Sequence, residues 1–222
     1  MSKRMRELKE KLNQSRVSIE EAINFIKKNA NAKFDESVEV HAKLGIDLKK
    51  PDQKVRTSVS LPHGTGKTKT VAVFTSTKQD EAEEGGADLV GADDLIAEIQ
   101  KTGKIAFSAI VATPEMMPKL AKIAKILGPK GLMPSPKSGT VTENVKNIVK
   151  ALKAGQVEFR SDDSGSVHAP LGRVSFDASQ LEENYSVFIE ALRKAKPESQ
   201  KGVFIKSISL CSTMGPSVKI KS

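Results

Sequence analysis

Apolar residues in this chain change their period twice, and that change limits the folds open to it. "SVEVHAKLGI" (37–46) puts Val38, Val40, Ala42 and Leu44 at every second position, and "KVRTSVSL" (54–61) repeats the pattern with Val55, Thr57, Val59 and Leu61. Period two belongs to a strand with one buried face. In the middle of the chain the strands become continuous apolar runs, "KTVAVFT" (69–75) and "KIAFSAIVA" (104–112). They alternate with helix-like segments at 78–86, 92–101 and 114–128, and with a helix presenting Val145, Ile148, Val149 and Leu152 on one face. Continuous runs separated by helices predict a parallel sheet covered on both sides. Alternation then returns in "GQVEFRSD" (155–162) and "GSVHAPLGRVSF" (165–176), read as antiparallel strands joined by a turn at Asp163-Ser164-Gly165. A long helix follows Asp177 with Leu181, Tyr185, Phe188, Ile189 and Leu192 on its core side, and strand-like segments at 202–215 and 217–222 end the chain.

The two ends therefore share a style that the middle lacks. The economical reading is mixed α+β and α/β: a discontinuous domain built from 1–65 and 157–222, with a second domain, 66–156, inserted into it. Two chain crossings would form the hinge, Pro62, His63, Gly64 and Gly66 going out and Gly155 and Gln156 coming back. Near the N-terminus, residues 4–12 suit a short basic helix. "SIEEAINFIKK" (18–28) suits a better one, since Ser18 and Glu21 have capping-box spacing.

"GTGKT" (64–68) has the look of a phosphate-cradling loop, but a P-loop needs a glycine separated by four residues from its Gly-Lys-Thr, and Leu61 stands at that place. The lysine should also open a helix, whereas "TKTVAVFT" is β-branched and reads as a strand. Nucleophile elbows and dinucleotide fingerprints are absent as well. The acidic "DEAEE" suits a solvated helix face and Met116-Met117 suits packing, so the chain is read as a non-enzyme without cofactor.

The chain carries 36 Lys plus Arg against 27 Asp plus Glu, a net charge of +9, which favours a polyanionic partner. An unselective nucleic-acid chaperone or a membrane-surface protein would fit the same charge. Aromatic residues are only 4%, with no Trp and one Tyr, so a base-stacking platform is hard to build. RNA contact would lean on phosphates, hydroxyls and shape. Cys211 is alone in the sequence, and His41, His63 and His168 have no metal-ligand spacing, so no metal site is expected. The basic N-terminus lacks a signal-peptide core, and no apolar window is long enough for a membrane span. A cytosolic protein is expected.

Three stretches carry a family resemblance. "ILGPKGLMPSPKSGTVTENV" (126–145) resembles the signature of the large-subunit ribosomal protein L-one family, the protein of the mobile stalk beside the ribosomal exit site. "KFDESVEVHAKLGID" (33–47) is similar to that family's first strand region and "STMGPSVKI" (212–220) to its C-terminal strand, with "SLPHGTGK" (60–67) fitting between them in order. Ser135 stands where Asn is expected, and "CSTMG" (211–215) where threonines are common.

The resemblance implies a split β-α-β domain with a Rossmann-like three-layer α/β insert. It implies binding to a helix and loop junction of large-subunit rRNA, a part in the release of deacylated tRNA from the exit site, and, in bacterial members, repression of the operon's own mRNA. Off the ribosome it implies a monomer. Carried over residue by residue, it marks Lys33, Phe34, Ser37, Glu39, His168, Ser207, Thr213, Met214 and Gly215 for RNA, and Lys130 and Lys137 for tRNA. Lys33 offers a phosphate contact. Phe34 and Met214 either fill core or meet ribose and base. Ser37 and Glu39 alternate away from Val38 and Val40, hence outward, where a carboxylate accepts from 2′-hydroxyls. The Thr213 hydroxyl could bond ribose, and Gly215 could admit RNA backbone. His168 is open to a structural role, and Lys130 and Lys137 to membership of a merely solvated loop.

Overall fold

The computed structural model describes residues 3–12, 16–47, 50–103 and 105–221. Its elements run in chain order α1 (Lys3–Lys11), α2 (Ile19–Asn29), β1 (Ser37–Leu44), β2 (Arg56–Ser60), β3 (Val71–Phe74), α3 (Gln79–Glu84), β4 (Leu89–Gly91), α4 (Asp93–Thr102) and β5 (Ala109–Ala112). The chain continues with α5 (Met117–Leu120), α6 (Ala124–Leu127), α7 (Val145–Lys153), β6 (Gln156–Arg160), β7 (Ser166–Arg173), α8 (Ala178–Lys194), β8 (Ile205–Ser212) and β9 (Val218–Ile220). Internal contacts divide the chain into two compact units. The terminal unit is Met1–Gly66 with Val157–Ser222, and the inserted unit is Lys67–Gln156.

In the terminal unit a four-stranded antiparallel sheet has the order β7-β1-β8-β9. The alternating residues Val38, Val40, Ala42 and Leu44 all turn to the core, where Val167, Ala169, Leu171, Ile208 and Leu210 join them. Helices α2 and α8 cover that face with Ala22, Ile23 and Ile26 from one and Leu181, Phe188, Ile189 and Leu192 from the other. Both helices start on a capping box, Ser18 with Glu21 and Asp177 with Gln180, which satisfies otherwise orphaned N–H groups. The opposite face, with Glu39, His41, Lys43, His168, Ser207, Ser209 and Cys211, is partly or fully exposed.

The inserted unit holds a three-stranded parallel sheet of order β4-β3-β5. Ala72, Phe74, Ile110 and Ala112 pack on one side against Ile96, Ile99, Met116, Leu120, Ile123 and Leu127. Val71, Val73 and Val111 pack on the other against Ala82, Val145, Val149 and Leu152. A strand buried on both faces has no polar side to alternate, hence the unbroken apolar runs.

Three details differ from the sequence reading. β6 and β7 do not form a paired hairpin: β6 pairs with β2 and β7 with β1, leaving one isolated bridge, Ser161 to Val167, beside the turn. The expected helix over 114–128 is four short turns of alternating 3₁₀ and α type. Pro118, at the first turn of α5, supplies no N–H to a continuous ladder. The 3–4 spacing of Met116, Leu120, Ile123 and Leu127 still buries all four. The apolar run 104–112 contributes only Ala109–Ala112 to the sheet.

Candidate nucleic-acid interface

Two segments almost the whole chain apart meet at one end of the terminal sheet. The Ser37 N–H donates to Thr213 Oγ1 at 3.0 Å, and the Thr213 N–H returns to the Ser37 carbonyl at 3.1 Å. Beside them Glu36, 1% exposed, accepts the Met214 N–H at 2.9 Å and the Ala32 N–H at 3.3 Å. Burial pushes the Glu36 carboxyl up, but the Met214 N–H, the Ser212 hydroxyl, the Ala32 N–H and the Arg4 charge together outweigh it, and the group stays below its ordinary value. Arg4 also reaches the Met214 carbonyl at 3.4 Å. From the other side Asp35 accepts from Ser175 N and Oγ, and Arg173 donates to the Asp35 carbonyl at 2.8 Å.

This bracket holds two apolar side chains in water. Phe34 is 55% and Met214 53% exposed, two of the three large hydrophobics exposed among the described residues. Neither fills core, which settles that alternative for both. Lys33 is exposed next to Phe34. Gly215 has an internal reason to be glycine, since a Cβ there would sit 2.4 Å from Ser212 Oγ.

One expectation needs correction. Ser37 is not open to solvent: β1 keeps its alternation, since the irregularity against β7 puts the extra residue, Leu171, on β7, and Ser37 is buried at 8% exposure where its N–H meets Thr213 Oγ1. The exposed Thr213 hydroxyl also accepts the Ser37 N–H, which helps to hold the turn.

Glu39, His168 and Ser207 lie on the open sheet face rather than in the bracket. Glu39 is half-buried opposite Cys211, and His41, two residues on, is opposite both His168 and Ser209. His41 Nδ1 is 2.7 Å from His168 Nδ1, His41 Nε2 is 3.1 Å from Cys211 Sγ, and His168 Nε2 is 3.3 Å from Asp162 Oδ2. His168 is therefore hydrogen-bonded on both ring nitrogens while remaining exposed. Burial, then the His168 charge, pulls the His41 imidazole down, while burial and Glu39 push the Cys211 thiol up. Ser207 pairs with Lys43 on β8, six residues before Thr213 of the turn that follows the strand, a separation of roughly 20 Å along an extended chain. The structure thus groups Lys33, Phe34, Ser37, Thr213, Met214 and Gly215 at one end, puts Glu39 and His168 on the adjoining face, and sets Ser207 apart.

The outgoing crossing is tied into the terminal unit. Asn184 of α8, fully buried, accepts the His63 N–H at 3.2 Å and donates to the Gly64 and Leu171 carbonyls at 3.0 and 2.7 Å. His63 Nε2 lies 2.6 Å from Glu183, and Pro62 is exposed. Gly66 has φ +70°, and a Cβ would meet the Arg173 side chain at 2.6 Å. On the return crossing Gly155 has φ +106°, and the Gln156 carbonyl accepts from Lys69. Asn184 carries no periodic signal in the sequence; a polar residue on the apolar stripe of a helix was its one trace.

In the inserted unit Lys130 is exposed on the turn after α6. The backbone of Lys137 lies in a short 3₁₀ turn, and its side chain falls outside the described residues. The loop is braced by hydroxyls as well as prolines: Ser138 Oγ donates to the Ser135 carbonyl and Thr140 Oγ1 accepts the Ser135 N–H. A parallel bridge from Val141 to Ala112 anchors it to the end of β5. Lys67 is exposed on a segment that leads into β3 rather than a helix, so no phosphate-binding helix terminus exists there.

Among the described residues no helix is long and apolar enough to cross a membrane. Residues 26–216, which include the bracket apart from Arg4, the sheet face, both crossings and the loop at 128–140, match the family of ribosomal protein L1p/L10e. With that match spanning most of its length, the chain belongs to the ribosomal protein L1p/L10e family, a ribosomal protein of the large subunit that binds rRNA.

Proposed function

We propose that the terminal unit grips structured large-subunit rRNA at the Phe34–Met214 end of its sheet. One observation carries this reading: a buried, multiply bonded Glu36 ties the turn bearing Met214 to the loop bearing Phe34, two exposed apolar side chains on a net basic chain. Exposed apolar groups on a rigid rim suit ribose and unstacked bases, with Lys33 placed for phosphate. Glu39, His168 and Ser207 extend the contact across the open face, and Gly215 allows close approach of the RNA backbone. In this reading the terminal unit is the split β-α-β domain and the inserted unit the Rossmann-like domain.

The inserted unit reaches for tRNA leaving the exit site through the loop bearing Lys130 and Lys137. Support comes from its exposure and its bracing by Ser135, Ser138 and Thr140, because a preformed loop loses less entropy on docking. The two crossings serve as the hinge, with Asn184 and Glu183 fastening Pro62 to Gly64 to the terminal side. Repression of the operon's own mRNA would use the Phe34–Met214 surface on a similar RNA fold, and the free protein would be a monomer.

Joining the chain across 66–156 and measuring rRNA affinity tests the division of labour. Retained affinity is expected; loss of both folding and binding would refute it. Thermal stabilisation by nucleotide through Lys67 would instead favour the NTPase reading.

A further inference from the structure

We infer that the open face of the terminal sheet carries a zinc-class metal site formed by Glu39, His41 and Cys211, with His168 as the residue that positions His41. Sequence spacing hides this site, because its members come from two strands that are adjacent only after folding. Glu39 and Cys211 are register partners on β1 and β8, and His41 follows two residues along on the same face. One ligand atom from each lies within 4.8 Å of the other two. A tetrahedral zinc with these donors needs separations of about 3.3 to 3.6 Å, within reach of small side-chain rotations. All three residues are half-buried on strands, which fixes their backbones and leaves an entry path from solvent.

The surroundings of His41 give the second, independent argument. A metal-ligating imidazole commonly gives its other ring nitrogen to a partner that sets its tautomer. Here His41 Nδ1 faces His168 Nδ1 at 2.7 Å, and His168 Nε2 faces Asp162 Oδ2 at 3.3 Å. Asp162 is itself aimed by the Ser166 and Ser164 N–H groups at 2.7 and 2.9 Å. One proton arrangement satisfies the whole row: His168 Nε2–H donates to Asp162, and His41 Nδ1–H donates to His168. His41 Nε2 is then a bare lone pair directed at Cys211 Sγ, 3.1 Å away. Without metal the thiol proton occupies that lone pair.

The donor set selects the ion. One thiolate, one imidazole and one carboxylate suit zinc rather than magnesium or calcium, and the two anionic donors match a divalent charge. Binding is balanced as Zn²⁺ plus Cys–SH, neutral His and Glu carboxylate giving the three-ligand complex and one released proton. The fourth position stays open to water. None of this depends on the RNA reading.

The test uses the full-length, untagged, reduced protein, stripped by chelator and titrated with Co²⁺ as a spectroscopic probe and then Zn²⁺. Cys211 is the only cysteine, so a thiolate-to-cobalt charge-transfer band can arise from no other residue. Expected are that band at one equivalent, its bleaching by one equivalent of Zn²⁺, and release of one proton. Cys211→Ser and Cys211→Ala should abolish the band while Tyr185 fluorescence reports an unchanged metal-free fold. His168→Ala should weaken metal affinity about 10–100-fold with the band retained at saturation, and His168→Gln should restore part of it. Absence of the band at saturating Co²⁺, or its persistence without Cys211, would overturn the site. A His168→Ala protein with unaltered affinity would overturn the positioning role.

Discussion

Replacing Glu36 by alanine should loosen the turn that presents Met214 and thereby link stability to RNA affinity. Glu36 accepts two backbone N–H groups, from Met214 and Ala32, as well as the Ser212 hydroxyl, inside a nearly closed site. Each hydrogen bond to an ionised acceptor contributes about 1.5–3 kcal/mol, and since more than one is lost while water satisfies much of the opened turn, the net cost is about 2–4 kcal/mol. With a urea m-value of about 2 kcal/mol per M, the unfolding midpoint falls by about 1–2 M. Tyr185 lies on α8 and is the only tyrosine, and the chain has no tryptophan, so intrinsic fluorescence follows the terminal unit alone. The Glu36 carboxyl titrates below its ordinary value in the folded state, so its stabilisation is complete above the unfolded pKa and is lost as pH falls through the folded one. Wild type and Glu36→Ala should therefore converge in acid. An unshifted midpoint, a pH-independent difference, or normal rRNA affinity in the variant would refute this reasoning.

Phe34→Ala and Met214→Ala should each weaken rRNA binding by about 1–3 kcal/mol in a filter-binding or anisotropy titration. Both side chains are more than half exposed, so the unfolding free energy followed by Tyr185 should change by less than about 0.5 kcal/mol. Asn184→Leu strands the His63 N–H and the Gly64 and Leu171 carbonyls, and should cost about 2–4 kcal/mol in the same unfolding experiment. The Ser166 N–H above all, then the Ser164 hydroxyl, His168 and the Ser164 N–H, hold the Asp162 carboxyl far below its usual range despite partial burial. Its stabilisation also disappears only in acid. Asp162→Asn should lower the midpoint at neutral pH and flatten its acid dependence, and parallel pH profiles for the two proteins would contradict that assignment.

Periodicity made much of the fold legible. Val38 through Leu44 alternate because one sheet face is covered by α2 and α8, and Val71 through Phe74 do not because both faces are covered. The partners of β6 and β7 were not legible, since a turn at Asp163-Ser164-Gly165 looks the same whether the following strand turns back or moves to another sheet. The burial of Ser37 comes from the Thr213 turn, 176 residues away in sequence, a long-range contact that leaves no mark on the local alternation. In the site, Phe34 and Met214 could be marked by resemblance alone. What holds them, Glu36 with Arg4 and Ser212, is a long-range arrangement of single polar residues with no period to read. The same holds for Glu39, His41 and Cys211, which sequence spacing separates and strand register brings together.

The most direct measurement is the affinity of the intact protein for a large-subunit rRNA stalk fragment, a shuffled hairpin and a matched DNA duplex across a salt series. Recognition by the Phe34–Met214 rim requires a preference for the stalk fragment that survives at high salt and falls in Phe34→Ala. Equal affinity for all three, collapsing together as salt rises, would mean that the net charge of +9 alone drives binding and would contradict the proposed surface.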